Sequence, residues 1–211
     1  MGEKKHEPIL IVRKLRKGDV DRLLDIVDTD DYYSMSTTAG RMSRRDLKEF
    51  FFKHIAIRPV TYPVRMLYVV ELQETKQIVG FVELINISWR HKTVTLFDYL
   101  IPEYRTTGLR LLSLWHVMCI AFSEFNMRKV QLYISQRDNA WIGMIRDTLK
   151  FTREGALRHY VEHNGTWDDY FVFAFFKRDF SRLVQFVKKK TGRVLQPFID
   201  NYFVKKVDFN L

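Results

Sequence analysis

The sequence predicts an α/β (α+β) fold built on a mixed, largely antiparallel sheet, and three stretches carry that prediction. The first is Thr93 to Ile101, a β-branched and aromatic run ended by Pro102. A turn, Tyr104-Arg105-Thr106-Thr107-Gly108, and an apolar helix from about Leu109 follow it. The second is the pair of runs Met66–Leu72 and Gln77–Ile87, joined by Gln73-Glu74-Thr75-Lys76, which reads as two antiparallel strands. The third is Arg158 to Phe176, where Asn164-Gly165 suits a type I′ turn between aromatic and β-branched flanks. Hairpins make antiparallel neighbours, whereas a strand that leaves through a helix can return parallel, so the sheet is mixed.

Taken in order, Ile9–Leu15 is β-rich, and Lys17-Gly18-Asp19 turns the chain into a helix from Val20 to about Val27. Leu23, Leu24 and Val27 share its inner face and Asp19 is its expected N-cap. From Asp28 to Arg45 polar and small residues dominate, the pattern of a mobile loop of the kind that lies over binding sites. Asp28, Asp30 and Asp31 lack the spacing of a calcium loop, so a solvated acidic segment is expected there. A helix from Asp46 to about Ile55 leads to Arg58-Pro59 and Tyr62-Pro63, which punctuate a second loop, and Ser88–Lys92 makes the turn before Thr93. Beyond the Leu109 helix come a strand at Lys129–Ser135, the connection Arg137-Asp138-Asn139-Ala140 and a helix to about Thr148. Thr152-Arg153-Glu154-Gly155 then leads into the hairpin. Residues 181–211 stand apart from the domain formed by residues 1–180. Leu183, Val184, Phe186 and Val187, followed by Lys188-Lys189-Lys190, describe an amphipathic basic helix. Packing on the domain is its default use; pairing subunits into a homodimer and meeting an anionic surface stay open.

The chain has 211 residues, 46% of them apolar, enough for a substantial core. No apolar run reaches the roughly 18 uncharged residues of a membrane span, and MGEKKHEP lacks the apolar centre of a secretory signal. One cysteine, Cys119, excludes an internal disulfide framework and a cysteine-rich zinc site. His54, His91, His159 and His163 are scattered and make no ligand set with it. A cytoplasmic protein without a bound metal is expected. The net charge of +10, from 35 Lys and Arg against 25 Asp and Glu, favours an anionic partner. Nucleic acid is not the expected primary ligand, although the tail from Ser181 keeps that alternative open.

The turn after Pro102 delivers backbone N–H groups at a helix N-terminus, where the peptide dipoles sum to about half a positive charge and a pyrophosphate is stabilised. Its residues resemble the coenzyme signature of the GNAT superfamily of acyl-CoA-dependent N-acetyltransferases: Arg or Gln, two residues, Gly, one residue, then Gly or Ala. Arg105 and Gly108 match, and Arg110 stands in the last place. Farther on, Asn139, Phe151, Glu154-Gly155, Leu157-Arg158, Asn164-Gly165, Trp167 and Asp169 follow the order and spacing of its RimJ/RimL-like branch. The resemblance runs from about Ile9 to Phe180. It implies a splayed sheet with helices on both faces and acetyl transfer from acetyl-CoA to a primary amine by direct attack. The amine belongs to a small molecule or a peptide: a protein N-terminus, polyamine, amino sugar or aminoglycoside. It also implies that the pantetheine amides add to the strand edge at Tyr99 and Leu100, and that Arg105, Thr106, Thr107, Gly108, Leu109 and Arg110 surround the pyrophosphate. The resemblance likewise implies that Asn139 contacts the pantetheine arm.

An alkylammonium with a pKa near 10 must lose a proton before it attacks. Asp98, beside the expected thioester, is the first candidate for the base and Glu83 the second; Glu83 has the alternative of a solvent-facing position. His116, inside the apolar helix, reads as a packed, hydrogen-bonded histidine. Several positions depart from the resembled pattern. Thr106 replaces a glycine, and Arg110 either pairs with a phosphate or fills the space. Lys150 replaces another glycine. Ile142 and Arg146 stand where many members carry the Ser or Tyr that protonates the leaving thiolate. A thiol with a pKa near 8.5 leaves tolerably without such an acid. The same departures suit a non-catalytic member that senses acyl-CoA or binds protein, but an enzyme is the favoured reading. Trp167 and Asp169 either keep family roles or close the hairpin.

Overall fold

Residues 10–35, 41–56, 63–105, 108–163, 165–182 and 184–185 are described by the structure, a computed structural model. In chain order they form β1 (Leu10–Lys14), α1 (Val20–Val27), α2 (Asp30–Met35), α3 (Arg44–Ala56), β2 (Met66–Leu72), β3 (Ile78–Ser88) and β4 (Thr93–Leu100). There follow α4 (Pro102–Arg105), α5 (Leu109–Cys119), β5 (Lys129–Ser135), α6 (Asn139–Gly143), β6 (Thr152–His163) and β7 (Thr166–Phe176). The sheet order is β1-β2-β3-β4-β5-β7-β6. β4 and β5 are parallel, while β1 with β2, β5 with β7 and β6 with β7 are antiparallel, which is the predicted mixed sheet.

The chain divides into two compact units. One holds Met1–Glu83 with Asp98–Val117. In it α1 buries Leu23, Leu24, Ile26 and Val27, and Val69, Val70, Val79, Phe81, Val82, Tyr99, Leu114 and Trp115 complete the core. Asp19 does precede α1, but its side chain makes no cap bond to that helix. Its carboxylate instead accepts the Arg16 backbone N–H at 2.7 Å and the Arg13 guanidinium at 2.7 and 2.9 Å. Arg13 also donates to Glu71 at 2.8 and 2.5 Å, so one cation bridges two buried carboxylates.

The other unit holds Leu84–Phe97 with Met118–Leu211. The β4–β5 ladder runs from Thr93↔Lys129 to Leu96↔Leu132 and stops there, although β5 pairs with β7 as far as Ser135↔Tyr170. Phe122, Phe151, Phe173, Phe175 and Phe180 are buried here, with Phe122 and Phe180 ring centres 5.1 Å apart. Asp169 accepts the backbone N–H of His159 at 2.9 Å where the β6–β7 register shifts and His159 has φ 48°. It thereby closes an irregular stretch of the hairpin.

Several sequence expectations move. The segment predicted as a loop from Asp28 to Arg45 contains α2 and the start of α3, because Ser43 caps the latter by accepting the Asp46 N–H at 3.2 Å. Tyr104 and Arg105 belong to α4 rather than to a bare turn: Pro102 suits the first turn of a helix, where its missing N–H costs nothing. Thr152–Gly155 is already strand. The basic tail from Phe186 onward, Thr106, Thr107 and Asn164 lie outside the described residues.

Candidate active site

Gly80 sets the geometry of the strand that carries the expected coenzyme edge. A Cβ there would stand 2.1 Å from the Tyr99 carbonyl oxygen and 2.9 Å from Leu100 Cα, so a side chain would force β3 and β4 apart. The Ile101 N–H donates to the Val79 oxygen at 2.9 Å beside it. β4 continues to Leu100, past the Leu96 at which its ladder to β5 ends. Backbone amides of a ligand add to such an edge by ordinary strand geometry.

Arg105 is not directed outward. Its Nε donates to the Leu100 carbonyl at 2.7 Å, and Nη1 donates to Asp31 Oδ1 at 2.8 Å. Nη2 donates to the other oxygen of the same carboxylate. Tyr99 Oη donates to Asp31 as well, at 2.6 Å, and the guanidinium lies 4.9 Å over the Tyr99 ring. Burial works to raise the Asp31 pKa, but the bonds from Arg105 and Tyr99 outweigh it and hold the carboxyl below its ordinary value. Burial, then the bond to Asp31, pushes the Tyr99 phenol up. The side chain of the signature arginine thus pairs with α2 through Asp31.

Arg110 behaves alike. Its Nε donates to Asp98 Oδ2 at 2.7 Å, with the two side chains 9% and 7% exposed. Arg110 thus fills interior space beside β4 and does so as one half of an ion pair. Asp98, expected as the base, carries a guanidinium on one oxygen. A Cβ at Gly108 would meet nothing within 4 Å, so the first turn of α5 is open around it. Asn139 is exposed at the start of α6, which Asp138 caps by accepting the Trp141 N–H at 3.4 Å.

Glu83 is 5% exposed, which removes its solvent-facing alternative. It accepts Arg65 Nη2 at 2.5 Å, and the Arg65 guanidinium lies 4.8 Å from the centre of the Phe50 ring. Both line a cavity of about 280 Å³ whose walls include Tyr32, Tyr33, Phe50 and Phe81. Tyr32 packs edge-on to Tyr99 at 5.2 Å between ring centres and lies 5.8 Å from Phe81. Arg65 Nε and Tyr33 Oη are buried with no hydrogen-bond partner among the described residues. Sequence reasoning missed Asp31, Arg65 and the Tyr32-Tyr33 pair. A usable signal existed for the arginine: a carboxylate within an apolar strand demands a cation, and Arg65 immediately precedes the neighbouring strand.

His116 is 3% exposed, with Nδ1 2.9 Å from the Leu112 oxygen, and burial lowers its pKa; it is a packing residue, as read. Among the described residues no three His, Cys, Asp or Glu side chains group as a metal site. No helix among them is long and apolar enough to cross a membrane.

Residues 10–147 match the Acetyltransferase (GNAT) domain family. The chain is 23% identical over 160 residues to the spermidine N(1)-acetyltransferase of Vibrio cholerae, covering 76% of this chain and 88% of that one. Over 108 residues it is 24% identical to the uncharacterized N-acetyltransferase YoaA of Bacillus subtilis, covering 51% of this chain and 60% of the relative. Among solved structures, the Vibrio cholerae spermidine N-acetyltransferase in complex with CoA and spermine superposes with a TM-score of 0.72 at 22% identity, over 82% of this chain and 98% of that one. A dodecameric structure of that enzyme in an intermediate state gives 0.68 at 22% identity, over 81% and 95%. With the mixed seven-stranded sheet, the β4 edge beyond Leu96 and the open first turn of α5 in place, the family match is decisive: the chain belongs to the GNAT acetyltransferases, enzymes that transfer an acyl group from acyl-CoA to an amine.

Proposed function

We propose that this enzyme acetylates a primary amine that enters the aromatic cavity and meets Glu83. The observation that carries the reading is a nearly buried carboxylate at a cavity walled by Tyr32, Tyr33, Phe50 and Phe81. An alkyl chain is held by the rings, and the adjoining ammonium finds an anion to which it can lose its proton. Asp98 is the weaker candidate for that proton, because it is buried against Arg110 and does not line the cavity. Its role here is to position β4 against α5.

Acetyl-CoA supplies an activated acyl group as a thioester. The β4 backbone past Leu96, including Tyr99 and Leu100, would take the pantetheine amides. The open first turn of α5 at Gly108 and Leu109 would face the pyrophosphate with its dipole. Asn139, exposed at the start of α6, is proposed for the pantetheine arm. The amine nitrogen forms the new C–N bond as the C–S bond breaks, and the proton passes through Glu83 to the departing sulfur. Placement in the RimJ/RimL-like branch belongs to the same reading and rests on the ordered residues from Asn139 to Asp169. Release of free thiol from acetyl-CoA, measured over a panel of primary amines, tests it. Glu83→Gln is expected to lower kcat by roughly 10²–10⁴ while the acetyl-CoA affinity stays within about threefold. Full activity in that variant, or no thiol release with any amine, would refute it.

A further inference from the structure

We infer that the cavity at Glu83 takes an amine that also carries a carboxylate, an α-amino acid with an apolar side chain, and that Arg65 selects it. The inference rests on the reading of this cavity as the acceptor site. The cavity holds one buried anion and one cation, joined at 2.5 Å. A simple alkylamine or a polyamine would satisfy Glu83 only by competing with Arg65, whose side chain is 32% exposed, and would bring that guanidinium no counter-charge in exchange. A zwitterion exchanges partner for partner: its ammonium takes Glu83 and its carboxylate takes Arg65.

The two vacant polar atoms point to the same chemistry. Arg65 Nε is a donor by necessity, and Tyr33 Oη donates as readily as it accepts. A carboxylate offers about four acceptor sites, and guanidinium groups bind it through paired N–H groups. In the resting pair, Nη2 is on Glu83 and Nε is unfilled. A ligand carboxylate would engage both.

The remaining wall sets the side chain. Tyr32, Phe50 and Phe81 present rings to a cavity of about 280 Å³, near the lower limit of roughly 300 Å³ for small-ligand pockets, which suits an apolar side chain. A catalytic consequence follows. While Arg65 Nη2 occupies Glu83 Oε2, that oxygen is not open to the ammonium; once the ligand carboxylate draws Arg65 away, Glu83 meets the ammonium and takes its proton as the C–N bond forms, and the proton passes to the sulfur as the C–S bond breaks. Recognition of the carboxylate and activation of the base become one event.

The test compares L-phenylalanine and L-leucine with phenethylamine, L-phenylalaninamide and spermidine. Thiol release from acetyl-CoA is followed, and separately the calorimetric binding of each compound to the enzyme. The free amino acids are expected to bind and react roughly tenfold or more better than phenethylamine and the amide, the worth of one charge-assisted contact. Arg65→Met should abolish that preference, and Tyr33→Phe, the milder change, should reduce it. Equal or better use of phenethylamine, the amide or spermidine overturns the inference, as does a preference unchanged in both variants or the absence of amino-acid binding. Acetylation of spermidine with no binding of either amino acid sinks the inference and leaves the acetyltransferase reading standing. Binding of L-phenylalanine that depends on Arg65, with no amine acetylated, does the reverse.

Discussion

Replacing Asp98 by asparagine separates two roles that the sequence allows for this carboxylate. In the structure its Oδ2 accepts Arg110 Nε at 2.7 Å and both side chains are more than nine-tenths buried. Asparagine keeps the shape and removes the charge, so the Arg110 guanidinium remains inside without its counter-ion. Breaking one side of a buried pair costs about 3–5 kcal/mol. For a chain of this length each kcal/mol lowers the melting midpoint by roughly 2–4 °C, so a drop of roughly 6–20 °C is expected. The double variant Asp98→Leu with Arg110→Met replaces the pair by apolar groups of similar volume and should recover most of that loss. Circular dichroism melts of the wild type, the single variant and the double variant measure the effect. Acetylation rates are taken well below the lowest midpoint, so that unfolding does not masquerade as lost chemistry. A midpoint within about 2 °C of the wild type, together with a kcat lowered by roughly 10² or more, would make Asp98 the base and refute the structural assignment.

Gly80→Ala places a methyl carbon where it would stand 2.1 Å from the Tyr99 oxygen. Separation of β3 and β4 should cost about 1–3 kcal/mol in overpacking and weaken acetyl-CoA binding at the Tyr99–Leu100 edge; a titration and a melt matching the wild type would contradict it. Asp31 is held below its ordinary value of 3.8 mainly by Arg105 and Tyr99 working against burial. A depressed carboxyl adds stability that is complete above the unfolded pKa and lost as the pH falls through the folded value. The stability difference between wild type and Asp31→Asn should therefore shrink below about pH 4 in denaturant titrations, and a constant difference down to pH 2 would contradict the pairing of Asp31 with Arg105 and Tyr99.

Regular structure was largely legible in the sequence because its signals are local. Met66–Leu72, Val20–Val27 and Lys129–Ser135 fall where β-branched runs and helical spacing place them. The sites of tertiary commitment were not. Asp28 to Asp31 reads as a solvated acidic run, since nothing local says that Arg105, far along the chain, reaches Asp31. In the sequence Asp98 reads as a candidate base and Arg110 as a departure from the coenzyme signature. Their pairing needs only the rule that two opposite charges forced into one interior must meet. Arg65 escaped because it follows a proline-punctuated loop, where a charged residue attracts no notice, although Glu83 required a partner.

Two guanidinium–carboxylate pairs, Arg110 with Asp98 and Arg105 with Asp31, also bear on the partial match to the coenzyme signature. Arg110 in the last signature position would be a foreign cation if Asp98 were absent, and Asp98 would be a stranded anion without Arg110. They are one feature divided between a strand and a helix. The same holds for Arg105 and Asp31. With both guanidinium groups engaged by carboxylates, the pyrophosphate site proposed at Gly108 and Leu109 would draw on backbone N–H groups and the α5 dipole. Arg65 and Glu83 differ from these two pairs in lining a cavity and in leaving Nε without a partner among the described residues. A buried pair that is fully satisfied holds its elements together. One that borders a cavity with a donor to spare is poised to exchange its partners for a ligand of both charges.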